Sequence, residues 1–291
     1  MHLPQAYVRV AQLGRPDVGR LPTSKPDKEA HRVGAMPQSV TAGRRLTLNS
    51  DLGESLGLHS FGNDAQLMDI IDVANVACGF HSGDPDTMAA SVEAAGQHGV
   101  KIGAHPGLPD LVGFGRREMR LTGAEVETLL LYQVGALTAF LKRYGLELNH
   151  IKPHGSLYGM LARDAALMEA AARVLALYGV PFYGLAGTEH QKVCNQFGVP
   201  FVGELYVDLN YGPGGELLIQ RRPEPTNPAA AGNRVRRVLN EGVVEAVDGT
   251  LLNISFESVC VHSDAPNAVE VAAAVREALS SNASTAAPTA S

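Results

Sequence analysis

The chain has 291 residues, and 45% of them are hydrophobic, which is enough apolar material to bury the core of one large domain. Charged residues make up 19% of the chain and the formal net charge is -6, so no basic surface is available for nucleic acid. We find no N-terminal signal sequence and no apolar run of the roughly 20 residues that cross a bilayer, and we therefore expect a cytoplasmic protein without a membrane partner.

Both ends of the chain differ in composition from the middle. Residues 1–44 mix Pro, Gly, Arg and Lys without helical or strand periodicity, and residues 281–291 are mostly small residues such as Ser, Ala and Thr. Neither segment has enough apolar surface to offset the entropy lost on ordering. We predict a disordered extension over residues 1–44, a single barrel domain over residues 45–280 and a disordered tail over residues 281–291.

Between these ends, short apolar runs alternate with longer segments of helical period. The predicted strands are 46–49, 73–78, 100–104, 149–152, 182–185, 201–205 and 254–262. The predicted helices follow Asp84 and Thr122 and then span 164–178, 188–197, 233–241 and 266–279.

Two of the helices have clear end signals. Asp84 is placed to cap a helix with Pro85 in its first turn, and Gly99 ends it. Thr122 and Glu125 have the spacing of a capping box.

This alternation is typical of parallel strands joined by helices, and about seven such units come close to the eight of a complete barrel. We predict an α/β fold, an incomplete (β/α)7 TIM-like barrel. A doubly wound open sheet is the main alternative, because alternation alone does not distinguish an open sheet from a closed one.

Polar side chains gather where the predicted strands end, which is where parallel β/α folds place their working groups. They are Asn49, Asp51, Glu54, His81, Asp84, His105, Asp110, Arg116, Arg117, Lys152, His154, Glu204, Asp208, His262 and Asp264. A single histidine at a strand end is most often structural, and the helix cap explains Asp84. Four histidines at equivalent ends indicate a shared site, where buried charges must pair with each other, a metal or a charged substrate.

The loops around these groups are rich in glycine, which either lets the backbone approach a ligand or makes tight turns. Neither a Gly-x-x-x-x-Gly-Lys-Ser/Thr loop nor a complete Gly-x-Gly-x-x-Gly motif is present, so no standard nucleotide cradle is visible. The three cysteines, Cys78, Cys194 and Cys260, are far apart, and we expect reduced thiols, with Cys260 buried in an apolar strand.

Several long motifs, in this order, resemble those of the LamB/YcsF family over residues 46–280. They include Asn49-x-Asp-Leu-Gly-Glu54, Ala77-Cys-Gly-Phe-His-x-Gly-Asp-Pro85, Gly103-Ala-His-Pro-Gly-x-Pro-Asp-Leu-x-Gly-Phe-Gly-Arg-Arg117, His150-x-Lys-Pro-His-Gly-x-Leu-Tyr158 and Cys260-Val-His-x-Asp-x-Pro266. The resemblance implies a barrel of the glycoside hydrolase/deacetylase type.

It also implies an activity, that of the A subunit of prokaryotic 5-oxoprolinase. Together with subunits B and C, this enzyme opens the lactam of 5-oxo-L-proline to L-glutamate while hydrolysing ATP to ADP and phosphate. ATP would then be the co-substrate, bound together with the partner subunits. A lactam is an unreactive amide, and phosphorylation of its oxygen would make it a good electrophile for water.

With this activity in mind, we assign roles to the residues at the strand ends. The predicted catalytic residues are Asp51, Glu54, His81, His105, Lys152, His154 and Asp264. The predicted substrate-binding residues are Asn49, Arg116, Arg117, Glu204, Asp208 and His262. The sequence leaves open a divalent metal held by Asp51, His81 and His105.

Four positions depart from the family pattern: Ser50 replaces a Cys, Leu209 and Gln220 each replace an Arg, and Ser263 replaces a Gly. Loss of the two arginines bears on how a substrate carboxylate or phosphate is bound. Two further hypotheses stay open, a stand-alone metal-dependent amide or sugar deacetylase and a non-catalytic binding subunit of the same complex.

Overall fold

A computed structural model describes residues 46–60, 62–220 and 222–285, with side chains described up to residue 281. The disordered extension predicted for residues 1–44 lies outside the described residues, as do residues 286–291 of the predicted tail. The last helix continues to Thr285, so residues 281–285, which we had assigned to the tail, are helical.

The strands, in chain order, are Thr47–Leu52 (β1), Val73–Ala77 (β2), Lys101–His105 (β3), Leu148–Ile151 (β4), Phe182–Gly184 (β5), Phe201–Tyr206 (β6), Asn210–Tyr211 (β7), Leu217–Leu218 (β8), Val243–Glu245 (β9), Leu251–Asn253 (β10) and Ser258–His262 (β11). The helices are Asp64–Met68 (α1), Pro85–His98 (α2), Gly123–Arg143 (α3), Gly155–Arg163 (α4), Ala165–Tyr178 (α5), Glu189–Phe197 (α6), Pro228–Glu241 (α7) and Ala268–Thr285 (α8).

Seven parallel strands form a closed barrel in the order β1-β11-β6-β5-β4-β3-β2. The barrel closes because β1 pairs with β2 on one side and with β11 on the other. The predicted seven-stranded TIM-like barrel is confirmed, and the open-sheet alternative is wrong, since none of these seven strands has a free edge.

The helix signals read from the sequence correspond to observed caps. The Asp84 side chain accepts a hydrogen bond from the Thr87 amide, and Gly99 ends α2 in the left-handed conformation. Thr122 and Glu125 form the predicted capping box at the start of α3. By contrast, α7 begins at Pro228, five residues before the predicted start, because Asn227 caps it and Pro228 fits its first turn.

Helix α3 is long and apolar enough to span a membrane by length and composition, the one such helix among the described residues. Its buried residues recur at helical spacing, and they include Val126, Leu130, Val134, Leu137 and Leu141. Because this apolar stripe packs into the hydrophobic core, the fold itself accounts for the composition of α3.

Strand β1 and the hairpin of β7 and β8 differ from the prediction, and both affect where the site residues lie. Strand β1 runs to Leu52, so Asn49 and Asp51 lie on the strand itself rather than in the loop after it. The hairpin of β7 and β8 was not predicted, because its strands have only two residues each and leave no periodic signal. Residues within and beside this hairpin, Leu209, Leu217 and Ile219, form one wall of a pocket at the carboxyl ends of the barrel strands.

Candidate active site

A layer of hydrogen-bonded polar side chains fills the barrel interior beneath the pocket. The Asn75 amide donates to Asn49 Oδ1 and to Asp51 Oδ1, each at 2.8 Å. Asn49 in turn donates to Glu204 Oε1 at 3.2 Å and to Ser258 Oγ at 2.7 Å. All five residues are buried. The network fixes the position and orientation of Asp51 before any ligand binds.

Lys152, which directly follows β4, brings an ammonium group into this layer, and its side chain is only 2% exposed. Its Nζ lies 3.0 Å from Asp51 Oδ1 and 3.4 Å from Glu204 Oε1. It also lies 3.0 Å from Cys260 Sγ. One buried ammonium therefore lies between two buried carboxyl groups that come from different strands of the barrel, β1 and β6.

Both partners of the shorter ion pair stay charged. Burial alone would lower the pKa of Lys152, but Asp51, Cys260 and Glu204 together raise it well above its usual value. Burial likewise opposes ionisation of Asp51, but His105 and Lys152 outweigh it and hold its pKa well below the usual range. Asp51 is therefore a carboxylate and Lys152 an ammonium near neutral pH.

A second group, the imidazole cluster, consists of Glu54, His81, His105 and His154, all buried. His81 Nε2 lies 3.1 Å from Glu54 Oε1, and His154 Nδ1 lies 3.5 Å from the same oxygen. His105 joins the cluster to the polar layer, because its Nε2 is 3.0 Å from His154 Nδ1 and 3.2 Å from Asp51 Oδ2. The ligand atoms of the four residues all lie within 4.8 Å of one another.

The surroundings favour the neutral forms of three of these groups. Burial, together with the charges of neighbouring histidines and Arg116, lowers the pKa of His81 and of His154 well below the usual value. Burial, with Asp264 and Asp51 nearby, raises the pKa of Glu54 well above its usual value. The cluster thus holds lone pairs rather than fixed charge.

Glycines make room for these rings, a role that the sequence did not distinguish from turn formation or ligand approach. A Cβ on Gly107 would come within 2.4 Å of His81 Nδ1, and one on Gly115 would come within 2.7 Å of His81 Cβ. Phe114, which directly precedes Gly115, has a φ of 53°, a value that is rare for a residue with a side chain. Its carbonyl accepts a hydrogen bond from His154 Nε2 at 2.8 Å, so the strained residue orients a histidine of the cluster.

Two further ion pairs line the pocket. His262 Nδ1 lies 3.0 Å from Asp208 Oδ1, and its Nε2 faces Asp51 Oδ2 at 3.6 Å. Burial alone would lower the pKa of His262, but Asp208 and Asp51 raise it above its usual value. Arg116 binds Asp264 Oδ2 at 2.9 Å, while Asp264 Oδ1 is buried without a hydrogen-bond partner among the described residues.

The pocket is open to solvent at the carboxyl ends of the barrel strands. One wall is polar and the other is apolar. The polar wall is formed by Asp51, His105, Arg116, Lys152, His154, Asp208, His262 and Asp264. The apolar wall includes Leu209, Leu217, Ile219 and Pro223. Leu209 and Gln220, two of the positions that depart from the family pattern, both line the pocket.

Most of the residues predicted from the sequence therefore come together: Asn49 and Glu204 beneath the pocket, Glu54 and His81 beside it, and the rest on its polar wall. Arg117 is apart from them. It pairs with Asp110 within its own loop, and its side chain is 48% exposed. Arg117 is not among the residues that line the pocket.

Four residues that bond to the predicted site residues were missed. Asn75 links Asn49 to Asp51, and Ser258 accepts a hydrogen bond from Asn49. Tyr158 and Tyr206 both donate to Glu204 Oε2. Asn75 had a usable signal, since it is the one polar residue in the buried strand Val73–Ala77. The tyrosines had none, because their hydroxyl contacts depend on how distant segments pack.

The sequence is similar to those of named proteins over most of its length. The lactam utilization protein lamB of Emericella nidulans is 43% identical over 232 residues, which cover 78% of this chain and 91% of that protein. The 5-oxoprolinase A subunit of Thermus thermophilus is 44% identical over 239 residues, which cover 81% of this chain and 96% of that protein.

A solved structure gives the same result at the level of the fold. The crystal structure of the lactam utilization protein from Thermus thermophilus matches with a TM-score of 0.75 and 42% sequence identity. The match covers 82% of this chain and 97% of that one. Residues 46–291 match the model of the LamB/YcsF family. The family resemblance read from the motifs is therefore confirmed, and this chain belongs to the LamB/YcsF family.

Proposed function

We propose that this chain is the A subunit of a 5-oxoprolinase and binds 5-oxo-L-proline, whose lactam is opened to L-glutamate as ATP is hydrolysed to ADP and phosphate. Relatives at 40–45% identity that are named as the A subunit of 5-oxoprolinase support it. The proposal includes partner subunits B and C, ATP as co-substrate of the complex, and a cytoplasmic location.

The observation that carries the proposal is the match between the pocket and the groups of a five-membered lactam acid. The guanidinium of Arg116 suits the substrate carboxylate, since Arg binds carboxylates in a bidentate fork. Asp264 Oδ1, which has no hydrogen-bond partner within the described part of the chain, can accept a hydrogen bond from the lactam N–H. The wall formed by Leu209, Leu217 and Ile219 suits the methylene groups of the ring.

Charge development on the lactam oxygen can be met from the polar wall. Lys152 is held as an ammonium, and the raised pKa of His262 favours its imidazolium form. Both are positioned by buried carboxylates before substrate arrives, which is the arrangement that stabilises a developing negative charge most effectively. Phosphorylation of that oxygen by ATP would make the carbonyl carbon a better electrophile for water.

Lactam opening also needs proton transfer. After the phosphoryl group has moved from ATP to the lactam oxygen, a water oxygen bonds to the carbonyl carbon, the C–N bond breaks, and the nitrogen leaves with a proton as the amine. A second water then hydrolyses the resulting acyl phosphate to glutamate and phosphate. His105 and His154 line the pocket with imidazoles next to Asp51 and Glu54, and such groups accept a proton from water and return it.

The test is reconstitution with candidate B and C subunits, following release of glutamate and ADP from 5-oxoproline, with each component and ATP omitted in turn. Replacing His154 by Ala should lower turnover by roughly 10²- to 10⁴-fold, the range for losing a general acid or base. The control is His98→Ala, which changes a partly exposed histidine at the end of α2 and should leave turnover unchanged.

The other two hypotheses give different outcomes in the same assay. If this chain alone hydrolyses an N-acetyl substrate without ATP, it is a deacetylase and the proposal fails. If His154→Ala, Asp51→Asn and Lys152→Met all assemble with B and C and retain full turnover, the chain is a binding subunit whose partners do the chemistry.

A further inference from the structure

The imidazole cluster has a property that proton transfer alone does not require: the hydrogen bonds at its edge fix which nitrogens carry hydrogen. His105 Nδ1 lies 2.7 Å from the carbonyl oxygen of Lys152, and His154 Nε2 lies 2.8 Å from that of Phe114. A carbonyl oxygen only accepts, so both of these nitrogens carry a hydrogen and donate it.

The other nitrogen of each ring must then be a bare lone pair in the neutral form. These two lone pairs, on His105 Nε2 and His154 Nδ1, face each other at 3.0 Å. Asp51 Oδ2 lies 3.2 Å from His105 Nε2, and Glu54 Oε1 lies 3.5 Å from His154 Nδ1. Acceptors aimed at one another repel unless a positive species lies between them.

His81 packs against these groups but does not direct a lone pair to the same point. Its side chain is fully buried and stacks on His154 with ring centroids 3.7 Å apart and an interplanar angle of 2°. An imidazole binds a metal in the plane of its ring, so two parallel stacked rings do not bind the same ion. His81 Nε2 instead lies 3.1 Å from Glu54 Oε1 and orients that side chain.

We propose that Glu54, His105 and His154 bind a divalent transition-metal ion such as Zn²⁺ and leave its fourth position open. The separations of 3.0 and 3.5 Å among their ligand atoms are close to the roughly 3.3 Å expected for tetrahedral bonds of about 2.0–2.1 Å. The carbonyls of Lys152 and Phe114 act on the far nitrogens as the outer partners that orient metal-binding histidines.

The donor set determines the class of ion. Two imidazoles and one carboxylate suit Zn²⁺ and similar transition metals, whereas Mg²⁺ prefers six oxygen ligands. Asp51, which we expected among the ligands from the sequence, is already bound to Lys152 and Asn75 through Oδ1. Its Oδ2 faces His105 and stands next to the ligand set.

This inference goes beyond the proposed function, and its test is separate because metal binding is measured directly on the isolated chain. With an ion bound, both nitrogens of His105 and of His154 are occupied, so these histidines act in lactam opening by holding the ion, and His154→Ala lowers turnover through loss of a ligand. The full-length protein, without a histidine tag and purified without chelators, should contain close to one transition-metal ion per chain by elemental analysis. After removal of the metal, titration with Zn²⁺ should show one saturable site. Co²⁺ in its place should give the visible absorption of a four-coordinate ion.

Two variants test the ligand assignment. Glu54→Gln preserves the shape of the side chain, and His105→Gln removes an imidazole at the centre of the cluster. Each should weaken Zn²⁺ binding at least about 100-fold, more than the loss of an outer partner costs. His98→Gln is the control, a partly exposed histidine outside the cluster that should bind Zn²⁺ like the wild type.

Circular dichroism of the metal-free proteins checks that each variant is folded. A metal-free purified protein with no saturable Zn²⁺ or Co²⁺ binding would overturn the proposal and leave a proton between the two lone pairs. Binding by both variants that is as tight as in the wild type would place the ion elsewhere and overturn it equally.

Discussion

Lys152 is the residue whose replacement tests the energetics of the site most directly. In Lys152→Met, a side chain of similar length keeps the packing but removes the ammonium from between Asp51 and Glu204, at 3.0 and 3.4 Å. All three groups are nearly inaccessible to water, so no solvent charge replaces it. Removing one partner of a buried ion pair costs about 3–5 kcal/mol, a large part of the about 5–15 kcal/mol that stabilises a typical protein.

The assay is urea unfolding at pH 7, followed by circular dichroism. With a urea dependence of about 3 kcal/mol per M, the midpoint should fall by about 1–1.7 M. The control is Lys192→Met, whose ion pair with Glu189 at 3.0 Å lies on the surface, and which should cost less than about 1 kcal/mol. Adding Glu204→Gln to Lys152→Met should recover stability, because one of the two uncompensated charges is then removed.

The same variant should also lose activity in the reconstituted complex, by about 10²- to 10³-fold if the ammonium stabilises charge on the lactam oxygen. The reasoning is refuted if Lys152→Met and Lys192→Met unfold at the same urea concentration. In that event the buried charges are compensated by something other than the ammonium.

Three further predictions follow from other parts of the structure. Asp208→Asn should destabilise the protein most between about pH 4 and pH 6.5, as measured by thermal unfolding across pH. The raised pKa of His262 contributes stability that is fully present below its unfolded pKa of 6.5 and is lost as the pH rises through the folded pKa. The lowered pKa of Asp208 contributes stability that is lost only at acid pH. Gly107→Ala should push His81 aside and reduce turnover by about 10²-fold, whereas Gly135→Ala in α3, with its nearest neighbour at 3.7 Å, should leave it intact. Thr122→Ala should cost about 1 kcal/mol in urea unfolding through loss of the capping box, and an unchanged midpoint would contradict that assignment.

The parts of the fold that depend on local chemistry could be predicted from the sequence. Asp84 and Thr122 cap their helices through bonds to amides three residues away, so a short stretch of sequence holds the whole signal. The alternation of strands and helices likewise predicted the barrel. Its closure became certain only from the pairing of β1 with β11, whose partners are more than 200 residues apart.

The predictions that failed concern features that depend on tertiary packing. Arg116 and Arg117 are neighbours in the sequence, yet they have different partners. Arg117 pairs with Asp110 in its own loop, whereas Arg116 pairs with Asp264 at the pocket. A general rule for parallel barrels, that working groups sit where the strands end and apolar side chains fill the interior, is broken by the layer around Asn49 and Asn75. Barrel interiors follow the rule unless the site reaches inside, as it does here.

The closure of the barrel also sets the order in which the protein can be completed during synthesis. β1 leaves the ribosome early, but its partner β11 is among the last strands made. The side chains of Asn49 and Ser50 therefore lack their acceptors, the carbonyl oxygens of Val259 and Val261, until β11 has been synthesised. Until then, β1 has an unpaired edge that other strands can join. A nascent chain stalled before β11 is thus prone to aggregate, and it lacks His262 as well as a closed barrel.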